Sequence, residues 1–297
     1  MTQKIACKGK KIGEFSEGRD GRFNPIVFSL KSFIKSLVFY LCRMNLNFKK
    51  FGSGAPVIIL HGLFGSLDNW QTIAKQLAQT FAVYLLDQRN HGRSPHDDDM
   101  DYPTMAKDLK TFMEQRQLEA SHLVGHSMGG KTAMQFALNY PQLVNKLVVV
   151  DIAPKTYPGQ RHEIFQALSE MDLDRLQSRK EADSLLSKRI NDFGVRQFLL
   201  KNLTRKEGGG FRFKMNLPVI QQHYSDILAA IESSRIFGKP ALFIKGGRST
   251  HILPEDVVLI KKLFPNASIE TIEKAGHWIH AEAPVAFLKL ALGFLGT

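Results

Sequence analysis

Cysteine is nearly absent. The 297-residue chain has two, Cys7 and Cys42, and both fall within its first 43 residues. The body that follows therefore offers neither a disulfide framework nor a thiol nucleophile. Metal-ligand spacings are lacking as well: the ten histidines are scattered, and neither H-E-x-x-H nor a C-x-x-C pair occurs. Acidic residues are in the minority, 28 against 40 Lys and Arg, for a formal net charge of +12. Such an excess ordinarily points to nucleic acid or anionic lipid. Its placement argues otherwise, because residues 1–43 hold nine Lys or Arg against three Asp or Glu, half of the excess. With no RNA-binding or zinc-finger signature, no nucleic-acid partner is expected.

Uninterrupted apolar runs of membrane-spanning length are also missing. "IVFSLKSFIKSLVFYLC" (26–42) comes nearest, but Lys31 and Lys35 break it, and a span needs about 20 mostly apolar residues. No clear signal-peptide cleavage site accompanies it. Two readings of residues 1–43 stand side by side. The extension is an amphipathic anchor, giving peripheral membrane contact through residues 26–42, or it is a non-native upstream addition ahead of Met44-Asn45-Leu46. The expected location is cytoplasmic, membrane-associated if the extension is native.

What the chain has is alternation. "PVIILHG" (56–62), "AVYLLD" (82–87), "SHLVGHS" (121–127), "NKLVVVDIAP" (145–154), "PALFIKGG" (240–247) and "ASIETIE" (267–273) read as strands, several of them continuous apolar runs suited to burial on both faces. Amphipathic helical segments separate them, the pattern of a mostly parallel sheet with helices on both faces. Between about 155 and 238 the rhythm turns mainly helical. The expected organisation is an α/β core from residues 44–154 and 239–297 with a helical cap at 155–238, over a site at the carboxyl ends of the strands.

One turn carries chemistry. Gly125-His126-Ser127-Met128-Gly129 fits G-x-S-x-G between a strand and a helix, where a strained serine is pushed outward beside helix N-terminal amides. A serine needs a base, and the base needs a third group to hold its tautomer. His277, in "KAGHWIHAE" after the last strand, is the expected base, with His280 read as a packing residue. The acid is harder to place. The turn after the resumed strand, where a G-x-x-D carboxylate would be a candidate, reads Gly246-Gly247-Arg248-Ser249 and holds no acid. Asp151 ends the buried run "KLVVVD" and is preferred. Asp256 competes, although its place in the first turn of a helix is explained by the helix dipole. Backbone amides of Met128 and of Leu63, in "HGLFGS", are the expected oxyanion donors.

Five segments in order, "LHGLFGSLDNW", "LLDQRNHGRS", "GHSMGGKTAMQFA", "VVVDIAP" and "AGHWIHAE", resemble the α/β-hydrolase superfamily, and more closely its YbfF-type bacterial esterases. The resemblance runs from about Asn45 to the C-terminus. It implies an α/β-hydrolase fold, Ser127 as nucleophile, Asp151 as acid, His277 as base, a helical cap, and hydrolysis of small-molecule acyl esters without metal or organic cofactor. "DQRNHGRS" reads as structural, with Asp87 and Arg89 fixing the loop and Gly92 allowing its turn. Two alternatives remain: an acyl-CoA thioesterase, motivated by Arg205, Lys206, Arg212 and Lys214 in the cap, and a non-catalytic acyl-ligand binding protein.

Overall fold

The computed structural model describes residues 2–7, 10–16, 44–159 and 162–296. The helix expected over 26–42 lies outside them. The chain divides into two compact units, Met1–Met44 and Asn45–Thr297. In the first, β1 (Thr2–Cys7) and β2 (Lys10–Ser16) pair antiparallel as a hairpin, which the sequence reading did not anticipate.

The second unit is built on one seven-stranded sheet. Its strands are β3 (Phe48–Phe51), β4 (Pro56–Leu60), β5 (Ala82–Leu86), β6 (Ser121–His126), β7 (Val144–Val150), β10 (Ala241–Gly246) and β11 (Ala267–Ile272), in the order β11-β10-β7-β6-β4-β5-β3. All neighbours run parallel except β3, which pairs antiparallel with β5 at one edge. From β4 the chain goes to β5 on one side and then crosses to β6 on the other. The order therefore reverses between β4 and β6, where open parallel sheets bind their ligands.

The central strands are apolar because helices cover both faces. Val57 to Leu60 in β4 and Leu147 to Val150 in β7 are all buried, as a two-sided parallel strand requires. On one face, Trp70 and helix α1 (Gln71–Leu77) pack Ile73, Ala74 and Leu77 against Val57, Ile59 and Val83, beside Phe287, Ala291 and Leu295 of the C-terminal helix (Pro284–Leu295). Burial of each Val, Ile, Leu or Phe side chain among these contributes about 1.5–3 kcal/mol. Helix α2 (Tyr102–Gln115) starts where Asp101 accepts from the Thr104 amide at 2.7 Å, with Pro103 in its first turn.

Between β7 and β10 the chain adds no strand to this sheet. It forms α4 (His162–Ser169), α5 (Arg179–Leu186), α6 (Phe193–Leu200), α7 (Leu217–Gln222) and α8 (Tyr224–Leu228). The mainly helical expectation needs one correction here: β8 (Leu203–Arg205) and β9 (Phe211–Phe213) pair antiparallel. Gly208, Gly209 and Gly210, all with positive φ, make the turn. A short polar hairpin with few alternating positions is easily lost among helical patterns. Among the described residues, no helix is long and apolar enough to cross a membrane.

Candidate active site

Helix α3 (Met128–Asn139) begins immediately after β6, leaving Ser127 as the only residue between them. Its φ of 53° and ψ of −119° lie where a non-glycine residue is strained. Close approach explains the flanking glycines. A Cβ on Gly125 would come within 2.3 Å of the Gly129 carbonyl oxygen, and one on Gly129 within 2.4 Å of the Leu60 carbonyl oxygen. A side chain at Gly125 would push the helix away from β6, and one at Gly129 would push it away from β4. The elbow is fixed by Ser127 donating its amide to the Val150 carbonyl at 3.0 Å.

Asp151 follows β7 directly, with φ 52° and no solvent exposure. His277 Nδ1 donates to its Oδ2 at 2.8 Å, and the Gly246 amide donates to Oδ1 at 3.0 Å. The Ser249 hydroxyl donates to Oδ2 as well. Ser249, in the turn where an acid was looked for and not found, thus supports the carboxylate of Asp151. Burial pushes the Asp151 carboxyl up from its ordinary value, against the Ser249 hydroxyl and the Gly246 amide, which hold it down.

A second imidazole joins this group. His251 stacks on His277 with ring centroids 3.8 Å apart and planes 16° from parallel, and its Nδ1 lies 3.1 Å from Ser249 Oγ. Sequence reading missed both Ser249 as a partner and His251. The only available signal was a hydroxyl residue in the acid's customary turn. Asp151, His251 and His277 offer ligand atoms within 4.8 Å of one another. The arrangement is suited to hydrogen bonding.

Asp256 is engaged elsewhere. Lys155 Nζ donates to its Oδ2 at 2.5 Å and the Leu253 amide at 2.8 Å. His280 is buried and stacked on Trp70, centroids 4.0 Å apart, and burial holds its imidazole well below the usual range. The amides of Leu63 and Met128 make no hydrogen bond to protein among the described residues. They sit on the adjoining loop after β4 and at the first position of α3.

The "DQRNHGRS" loop holds its neighbours in place. Asp87 accepts from the amides of Leu67 (2.7 Å) and Arg93 (2.9 Å) and from Asn47 Nδ2 (2.7 Å). Arg89 makes a two-pronged contact with Asp108, at 2.6 and 2.9 Å. Of the four basic residues singled out between β7 and β10, three have partners: Arg205 lies over the Phe211 ring, Lys206 pairs with Asp174, and Lys214 faces Asp68.

A strained serine elbow, a buried carboxylate bonded to an imidazole, and all of them at one sheet rim next to the strand-order reversal define a narrow class of folds. Residues 55–284 match the family model for the alpha/beta hydrolase fold. The chain belongs to the alpha/beta hydrolase family. It is 44% identical over 250 residues to the sn-1-specific diacylglycerol lipase ABHD11 of Xenopus laevis, covering 82% of this chain and 80% of that one. Esterase YbfF of Escherichia coli (strain K12) is 38% identical over 244 residues, 82% of this chain and 94% of the esterase. The solved structure of a marine microorganism esterase superposes with a TM-score of 0.83 at 46% identity, covering 84% of this chain and 99% of that one. As in other alpha/beta hydrolases, what distinguishes this member is the chemistry at its strand ends.

Proposed function

We propose that the protein is a serine carboxylic-ester hydrolase acting on small-molecule acyl esters through an acyl-enzyme intermediate. The observation that carries this reading is the 2.8 Å hydrogen bond from His277 Nδ1 to buried Asp151, at the rim that also bears Ser127 on its strained turn. With Nδ1–H donated to Asp151, the lone pair of neutral His277 lies on Nε2, the nitrogen that takes up a proton in this reaction. It takes that proton from Ser127 as Oγ attacks the ester carbonyl, and Asp151 stabilises the resulting imidazolium. The Leu63 and Met128 amides receive the developing oxyanion. His277 then protonates the departing alkoxide. In the second half, His277 removes a proton from water as it attacks the acyl carbonyl, and the imidazolium then gives that proton to Ser127 Oγ as the acyl–Oγ bond breaks and the carboxylic acid leaves. Residues 155–238 act as a cap over the rim.

The names of the relatives, an esterase and a diacylglycerol lipase, support an ester of a fatty or short acyl group as substrate class. The test is a pre-steady-state measurement with p-nitrophenyl acetate. The reading expects a burst of p-nitrophenol close to the enzyme concentration, absent from Ser127→Ala. Full activity in Ser127→Ala would remove the proposed mechanism.

A further inference from the structure

The loop between β4 and α1 is held against its own preference. Phe64 has φ 60°, in the left-handed region that a bulky residue avoids. Its ring is buried edge-on against Phe165, centroids 5.3 Å apart. Hydrogen bonds fix the backbone on both sides. The Phe64 amide donates to His91 Nε2 at 3.2 Å, and His91 Nδ1 donates to the Arg89 carbonyl at 3.0 Å. Burial pushes His91 down to about 3, so Nε2 remains an acceptor at neutral pH. On the other side, the Phe64 carbonyl accepts from Asn202 Nδ2 at 2.7 Å. Asn202 is buried in the turn between α6 and β8, and the same nitrogen faces the Leu199 carbonyl at 3.3 Å.

The preceding peptide shows what this achieves. The Gly62 carbonyl accepts from His61 Nδ1 at 2.8 Å and from the Gly65 amide at 2.9 Å. In a planar trans peptide the C=O and N–H point in opposite directions. Anchoring the Gly62 carbonyl therefore aims the Leu63 N–H the other way, and the turn that brings Gly65 back to Gly62 runs through the strained Phe64. We propose that Asn202 is a positioning residue for the oxyanion-binding amide of Leu63. The segment between β7 and β10 thereby helps to set the geometry of the catalytic loop, acting through Phe64. The proposal rests on the reading of Ser127 as an acyl-accepting nucleophile.

The experiment compares wild type, Asn202→Ala and Asn202→Asp in three measurements: steady-state hydrolysis of p-nitrophenyl acetate per phosphonate-titrated site, inhibition by an arylboronic acid that forms a tetrahedral serine adduct, and thermal unfolding. Deleting an oxyanion donor outright costs about 10²–10³-fold in kcat, so misaiming one is expected to cost about 10–100-fold. KM should stay within about twofold, and boronate affinity should weaken in step with kcat. Asn202→Asp keeps the side-chain shape but presents an acceptor to the Phe64 carbonyl, and it carries the test if the alanine variant does not fold. Folded variants with wild-type kcat and boronate affinity, altered only in unfolding temperature or KM, would overturn the proposal while leaving the esterase reading intact. A wild type that neither turns over the ester nor titrates with phosphonate would overturn both.

Discussion

Replacing Asp151 by asparagine changes one oxygen to an NH2 group, and the surroundings leave that group no good orientation. Oδ2 receives two donors, His277 Nδ1 and the Ser249 hydroxyl, and Oδ1 receives the Gly246 amide. With the introduced NH2 toward His277, the imidazole must turn its lone pair to Nδ1 and carry its proton on Nε2, where it cannot accept one from Ser127. With the NH2 toward Gly246, two N–H groups face each other in a site closed to water, at a cost of about 1–3 kcal/mol. In both orientations the imidazolium loses its counter-charge. Triad acids of this kind are worth about 10⁴ in kcat, or about 5.4 kcal/mol at 1.36 kcal/mol per decade. The assay is kcat for p-nitrophenyl acetate on folded Asp151→Asn and Asp256→Asn, with unfolding monitored in parallel. Asp256→Asn should stay within a few-fold of wild type in kcat, because Asp256 pairs with Lys155. Folded Asp151→Asn with kcat within tenfold of wild type, or the large loss appearing in Asp256→Asn, refutes the reasoning.

Other consequences are open to measurement. Lys131 is buried with its ammonium held by the carbonyls of Lys155, Leu228 and Ala229 at 2.9, 3.0 and 2.5 Å, and burial pushes it down to about 7 from 10.5. The unfolded chain therefore binds more protons between these values. Wild-type stability relative to Lys131→Met should rise with pH above 7, by at most about 1.4 kcal/mol per unit, and urea titrations at pH 6.5 and 8.5 with no change in that difference would contradict it. For Asp151 the sign is opposite: its carboxyl is raised above 3.8, so the folded state binds more protons in that window and stability falls as pH rises through it. Asp151→Asn should then gain stability relative to wild type as pH rises from about 4, read by the same titrations. Gly92 has φ 59°, and a Cβ there would lie 2.1 Å from the Asp87 carboxyl carbon. Gly92→Ala should cost at least about 2 kcal/mol of stability, and a denaturation midpoint equal to wild type would remove the steric argument. His280→Phe should keep esterase activity within a few-fold, since the ring's role is to stack on Trp70; a loss comparable to that of His277→Ala would make His280 part of the chemistry.

The sheet was legible because its signals are local. Val57 to Leu60 and Leu147 to Val150 are continuous apolar runs, and burial on both faces leaves them no polar side to blur the pattern. The elbow was legible for the same reason: Gly125 and Gly129 are demanded by contacts within one strand-turn-helix unit and with β4. Asp151 could be preferred from its place at the end of a buried strand, which demands a partner. The features that stayed hidden are long-range. Ser249 and His251 meet Asp151 across about a hundred residues, Lys131 finds its carbonyls at both ends of the helical insertion, and Asn202 reaches Phe64 from another element. Main-chain carbonyls leave no side-chain signature, and a buried lysine in "GGKTAMQ" reads like any solvated one.

Labelling with a fluorophosphonate tests the central claim most directly. The account predicts one phosphonyl group per chain, located by peptide mass mapping on Ser127, with esterase activity lost in proportion and no labelling of Ser127→Ala. Undiminished labelling and hydrolysis in folded Ser127→Ala, or a label on another residue with activity lost in step, would contradict it.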